Sequence, residues 1–157
     1  MSKSIKKHWK TSEKKFLAKE LTTFCGLLNK EYNINYGGCC YVTYCICKLL
    51  TKANIKYKIV VSNYEHLPKY FNDIPEACCH YFIEIDHYTI NRRSNDYRGN
   101  YNIKRYCNVK PRDILRHYNI NEWNEEFDVD SKNTVANLLT VFFYDLCERW
   151  EYLYYPY

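Results

Sequence analysis

No stretch of the chain approaches the roughly 20 consecutive apolar residues that a membrane-spanning helix needs. The longest apolar run, residues 135–144, is interrupted by Asn137 and Thr140. A secretory leader is not expected, because Lys19 and Glu20 break the first apolar segment after the basic opening of residues 1–10. Repeats and low-complexity linkers are lacking too, so nothing divides the 157 residues, and a single domain over 1–157 is expected. A disulfide ladder is excluded in turn. The nine cysteines are odd in number, and the adjacent pairs Cys39-Cys40 and Cys78-Cys79 suit no ordinary bridging pattern. Free thiols in a reducing, cytoplasmic compartment are the expectation.

Hydrophobic residues make up 46% of the chain and charged residues 26%, which fits a globular fold rather than a disordered or fibrous one. Tyrosine supplies 18 of the aromatic side chains. With the abundant Asn, Ile and Lys it forms the set written by A/T-rich codons, which marks the genome rather than the function. The formal charge is +5. Lys3, Lys6, Lys7, Lys10, Lys14, Lys15 and Lys19 concentrate it near the N-terminus. Such a cluster fits a nucleic-acid footprint or a solvated helix face behind a frayed terminus. On the second reading, removing residues 1–10 leaves folding intact.

Thr11 or Ser12 can cap a first helix with Glu13 in its first turn. Leu17, Leu21, Phe24 and Leu28 then form a stripe at helical spacing. Residues 32–38 break the pattern. A second helix carries Val42, Cys45, Ile46, Leu49, Leu50 and Ala53 on one face, and Asn54 is suited to a left-handed stop. Ile55, Tyr57, Ile59 and Val61 alternate as a strand, followed by a loop over 62–78. Tyr81, Ile83 and Ile85 alternate in the next strand, with Asp86-His87 as a two-residue turn and residues 88–91 returning. Residues 94–106 read as a long loop or an exposed strand. Pro111 opens a short helix, and residues 123–127 read as a connector. Asp130 or Ser131 caps a last helix with Val135, Leu138, Leu139, Phe142 and Leu146 inside. The aromatic tail 150–157 packs back on the domain. This order of elements defines an α+β fold with a small antiparallel sheet.

The segment Tyr36-Gly37-Gly38-Cys39-Cys40-Tyr41-Val42-Thr43 carries the first chemical signal. Two glycines before a helix allow close backbone approach. A cysteine at that helix start meets N–H groups and the positive end of the helix dipole, a setting that lowers a thiol pKa from ~8.5 towards ~3.5–7.5. Cys39 therefore has the local setting of a nucleophile, against the alternative of a cysteine packed in a tight turn.

The turn at Asp86-His87 provides the second signal. It pairs residue 85 with 88, 84 with 89, 83 with 90 and 82 with 91. Parity then puts His80, Phe82 and Glu84 on one sheet face with Thr89 and Asn91, and Tyr81, Ile83, Ile85, Tyr88 and Ile90 on the other. His80 and Asn91 become diagonal neighbours with side chains in reach. The Asn91 amide is then placed to orient the imidazole, and Glu84 is the alternative orienting group on the same face.

A cysteine at a helix start, then a histidine on a strand, then an Asn on the following strand resembles the papain-like cysteine peptidase superfamily, which includes transglutaminase-like acyltransferases and cell-wall endopeptidases. The Gly-Gly-Cys-Cys-Tyr-Val run is similar to that family's nucleophile helix, and residues 80–91 resemble the short His–strand–turn–strand–Asp pattern of its small members, often phage-encoded, with Asn91 in the place of the Asp. The likeness covers about a third of the chain. It implies a papain-like fold in which Cys39 attacks an amide or ester carbonyl of a protein or peptide, His80 is the base, and Asn91 holds the imidazole. At the family's spacing of six residues before the nucleophile, Asn33 would supply the oxyanion contact, with Asn35 as its rival. Either hydrolysis or acyl transfer follows from the acyl-enzyme, and no cofactor is implied.

Two other readings compete. A zinc site would draw on Cys39, Cys40, Cys45, Cys47, Cys78, Cys79 and His80, but adjacent pairs and a single Cys-x-Cys fit the usual ligand spacing poorly. A basic, tyrosine-rich module that binds nucleic acid or protein needs no catalytic pair, although the tyrosines are not clustered with the lysines.

Overall fold

A computed structural model describes residues 4–5, 8–35, 38–64, 70–71, 74–75, 80–92, 101–120, 129–149 and 153–154. Residues 36–37, 78–79 and 93–100, the connector 123–127 and most of the tail lie outside them. The elements are β1 (Ser4–Ile5), α1 (Thr11–Tyr32), α2 (Cys39–Lys52), β2 (Lys58–Tyr64), β3 (Tyr70–Phe71), β4 (Ile74–Pro75), β5 (His80–Ile85), β6 (Tyr88–Ile90), β7 (Tyr101–Tyr106), α3 (Pro111–Ile120), α4 (Val129–Arg149) and β8 (Leu153–Tyr154). Four helices and a four-stranded antiparallel sheet of order β6-β5-β2-β7 make the domain α+β.

The helix α1 is capped one residue earlier than the expected Thr11 or Ser12, and Thr11 is already its first residue. Lys10 is the N-cap, and its N–H donates to Glu13 Oε1 at 2.8 Å. Leu17, Leu21 and Leu28 are buried as the stripe requires, while Phe24 lies half-buried against Phe142, ring on ring at 4.1 Å. The helix α2 buries eight of its 14 residues, including Val42, Cys45, Ile46, Leu49 and Leu50, and the expected Ala53 is buried as its C-cap. It ends in a Schellman motif: Ile55 N–H donates to Leu50 O (2.9 Å), Asn54 N–H to Thr51 O (3.1 Å), and Asn54 takes the left-handed φ of 57°. That motif holds Ile55 at the helix end, so β2 starts at Lys58 rather than at residue 55. It also runs on into the expected loop, to Tyr64.

β5 and β6 pair in the register that the two-residue turn dictates: Ile83↔Ile90, Glu84↔Thr89 and Ile85↔Tyr88. Asp86 accepts a left-handed φ of 53° in the turn, and its carboxylate meets Lys14 Nζ of α1 at 3.1 Å. Ile59, Val61, Tyr81, Ile83, Ile85 and Ile90 form the sheet face that packs on α1 and α2. Every residue of β5 is buried, so the opposite face carrying His80 and Phe82 is covered as well. α3 and α4 pack against α2 from its other sides.

Of the loop and strand readings of residues 94–106, the strand holds over 101–106, which form β7 paired along β2. Three other expectations are corrected. In α4 the inward face is Val135, Leu139, Phe143, Leu146 and Cys147; Leu138 is exposed, and Phe142 turns aside to stack on Phe24 of α1. The helix is already formed at Val129, so Asp130 lies in its first turn instead of capping it. The segment expected to fray is tied down at two points. Ser4 and Ile5 pair with Tyr154 and Leu153, and Trp9 Nε1–H donates to Ala53 O at 3.2 Å.

Deleting residues 1–10 removes the strand pairing, the Trp9–Ala53 hydrogen bond with the partial burial of its indole, and the Lys10 cap of α1. Stability is expected to fall by about 1–3 kcal/mol. Urea unfolding checks this: the midpoint drops while the m-value holds. An unchanged midpoint would mean that none of these contacts contributes.

Candidate active site

Cys39 is the first residue of α2, behind the N-cap Gly38, and the first turn closes with Val42 N–H donating to Gly38 O at 3.0 Å. The N–H groups ahead of that bond lie at the positive end of the helix. Successive helical positions point about 100° apart, and the two adjacent thiols separate accordingly. Cys40 turns into the core, its Sγ 3.6 Å from Ile114 O of α3. Cys39 remains partly exposed.

Burial sorts the other described thiols. It pushes Cys25 and Cys147 up to about 12 and Cys45 to about 11. It holds Cys40 and Cys47 well above the usual thiol range, Cys40 being raised further by the neighbouring Cys39. A shift from 9 to about 12 makes the Cys25 thiolate about 4 kcal/mol harder to form. Among the described cysteines, only Cys39 and Cys107 escape full burial.

His80 opens β5, wholly buried, opposite Ser62 of β2 and with its ring stacked on Phe82 at 5.9 Å. Its Nε2 lies 2.6 Å from the backbone carbonyl oxygen of Asn91. A carbonyl can only accept, so Nε2 carries the hydrogen, and in the neutral ring Nδ1 is the basic nitrogen.

Asn91 does stand beside His80, but the expected contact is corrected. The orienting group is its main-chain carbonyl, exposed by a left-handed φ of 66° just after β6 ends. Its side-chain amide instead pairs reciprocally with Asn35: Asn91 Nδ2 donates to Asn35 Oδ1 at 3.0 Å, and Asn35 Nδ2 donates to Asn91 Oδ1 at 3.4 Å. Asn35 is held in turn by its own N–H, which donates to Asn29 Oδ1 at 2.8 Å.

Thr22 completes the arrangement and has no sequence signal of its own. From the middle of α1 its hydroxyl donates to Thr89 O at 3.0 Å and accepts from Asn91 N–H at 3.3 Å, fixing the end of β6 to the helix. Only the packing of α1 along β6 brings it there.

Geometry sets aside the alternative Glu84 and gives Asn33, the residue assigned to the oxyanion contact, a different role. Glu84 sits four residues along the same strand from His80, roughly 13 Å away at the rise of a β-strand, too far to orient the ring. Its carboxylate accepts from Arg105 Nε–H at 2.9 and 3.2 Å. Asn33 is the C-cap of α1, exposed, with φ 55° and its N–H donating to Asn29 O at 2.8 Å. α1 runs through Tyr32, so the position that the family spacing assigns to an oxyanion contact serves to end a helix. The amide near the site is Asn35. The chain from Asn35 to Cys39 is four residues, which keeps their Cα atoms within about 14 Å.

Among the described residues no group of three or more His, Cys, Asp or Glu side chains is set to hold a metal, and no helix is long and apolar enough to cross a membrane. Cys78 and Cys79 lie outside those residues. The chain matches no protein-family model and no curated protein, and its fold matches no solved structure.

The tautomer is open to direct test. Long-range 15N–1H correlation spectra of neutral His80 are expected to report a protonated Nε2. Asn91→Gly keeps both the carbonyl and the left-handed backbone, so the same tautomer is expected there. Asn91→Ala places a Cβ at φ 66° and is expected to be less stable than Asn91→Gly by about 1 kcal/mol. A tautomer switch in Asn91→Gly would return the orienting role to the side-chain amide.

Proposed function

We propose that the protein is a thiol hydrolase of papain-like chemistry, with Cys39 as nucleophile and His80 as base. The observation that carries this reading is the fixed imidazole. A buried histidine is held as the Nε2–H tautomer by the carbonyl of Asn91, whose side chain is locked to Asn35 in the approach to the Cys39 helix. The partial exposure of Cys39 beside the deeply buried Cys40 supports it further.

Nδ1 of His80 accepts the proton of the Cys39 thiol as sulfur attacks the carbonyl carbon of an amide or ester. The carbonyl π electrons move to oxygen, and the oxyanion is held by the Cys39 N–H at the head of α2, a donor of a kind typically worth ~3–4 kcal/mol. Collapse of this intermediate expels the amine or alcohol, which takes the proton from Nδ1–H. Water, deprotonated by the same nitrogen, then attacks the thioester and releases the acid. An amine in place of water gives the acyl transfer of transglutaminase-like enzymes through the same intermediate. Asn33 has no part in this scheme, and Asn91 acts through its carbonyl.

Thiol reactivity tests the pair without a substrate. An ordinary thiol of pKa ~8.5 is only about 0.3% thiolate at pH 6. Sub-stoichiometric iodoacetamide at pH 6 is expected to label Cys39 at least tenfold ahead of every other cysteine, as located by peptide mass spectrometry. Folded His80→Ala is expected to lose most of that preference, while Cys40→Ser keeps it. Uniform slow labelling, or a dominant site at the exposed Cys107, would overturn the nucleophile and favour a non-catalytic binding module.

A further inference from the structure

At the end of β5 remote from His80, two adjoining clefts of about 1170 and 590 Å³ share Lys58, Glu84, Asp86 and His87. Among the described residues they are lined by seven Lys and Arg side chains against two carboxylates, Glu84 and Asp86. Both carboxylates are already engaged. Asp86 meets Lys14 at 3.1 Å and Glu84 meets Arg105 at 2.9 Å. Lys56, Lys58, Lys110 and Arg112 are exposed around the larger cleft and have no ion-pair partner among the described residues.

We infer that this joined cleft binds the phosphodiester backbone of a single-stranded nucleic acid. Like charges repel, so four such cations around one concavity are unfavourable until an anion enters, and a concave low-dielectric wall focuses their field on it. The ligand has to be extended. The larger cleft alone exceeds the ~300–1000 Å³ of ordinary small-molecule pockets, and the second continues it past Lys58 towards Arg105 and Arg92. A charged groove that follows a strand is the usual means of holding single-stranded nucleic acid. The sequence directs attention to the N-terminal lysines for such a role, yet among the described residues only Lys14 of that set lines the cleft, and it is paired. This site is separate from the thiol chemistry and does not rest on it.

Fluorescence anisotropy of the full chain with a fluorescein-labelled oligothymidylate of about 12 nucleotides tests the inference. Four phosphate contacts give a slope of log K against log salt near −2.8, about a 50-fold loss of affinity between 50 and 200 mM salt. The double substitution Lys58→Gln/Lys110→Gln is expected to halve that slope and to weaken binding at least tenfold at 50 mM. Lys19→Gln/Lys30→Gln, two exposed positions of α1, should change it less than twofold. Absence of salt-sensitive binding, or equal losses in both double variants, would overturn the inference. So would displacement by polyglutamate at equal charge, which would make the ligand an acidic peptide. Displacement by micromolar ATP would also overturn it, by making the ligand a free nucleotide.

Discussion

The burial of α2 is the constraint on which the other elements depend. Its 14 residues have β5 on one side and α3 and α4 on others, and Val42, Ile46, Cys47 and Leu50 are wholly inaccessible. A helix that is apolar on so many faces has no stable place except the centre of a domain. Between its ends only Tyr41, Tyr44 and Lys48 reach solvent, so the rest of its accessible surface lies at the two ends. The C-terminal end is closed by the Schellman motif at Asn54, and the N-terminal end presents Cys39. The position of the candidate nucleophile is thus a consequence of core formation rather than a separate feature added to the surface.

Asparagine serves this chain as glycine serves others. There are four glycines. Every non-glycine residue with positive φ among those described is Asn or Asp: Asn33, Asn54, Asp86, Asn91 and Asn108. Each stands at the end of a helix or strand, where a short polar side chain lets the backbone turn left-handed at modest cost. Codon bias accounts for the supply of asparagine, and folding uses it at the points where elements end. Asn91 combines this with a second role, because the same left-handed turn that ends β6 aims its carbonyl at His80.

How much was legible in the sequence follows from how local each determinant is. The β5–β6 register was legible because a two-residue turn and alternating apolar residues determine it within ten positions. The stop at Asn54 was legible for the same reason. The inner face of α4 was not, since residues 138 and 142 fit a helical stripe as well as 139 and 143. The position of Phe24 on α1, distant in sequence, decides which phenylalanine turns inward. Within the site, the proximity of His80 and Asn91 could be read from parity, but parity concerns side chains and says nothing of a main-chain carbonyl. Thr22 and Asn35 reach Asn91 only through tertiary packing, 69 and 56 residues away along the chain. The role of Asn33 as the C-cap of α1 was not legible either, because a spacing rule presumes a loop where this chain continues a helix.

The adjacent cysteines illustrate how one turn of helix assigns opposite fates to identical side chains. Cys40 is driven inward by the contact of α2 with α3, where burial favours the protonated thiol and a carbonyl oxygen lies at 3.6 Å. Cys39, rotated by about 100°, stays at the boundary of the core, partly packed and partly wet. A nucleophile needs both conditions. Packing limits its rotamers, and access to solvent and to the helix dipole lets it ionise. Exchanging the two environments would require α2 to rotate by about a quarter turn, which would take Ile46 and Leu50 out of the core. The register that buries those two residues therefore also determines which sulfur is presented.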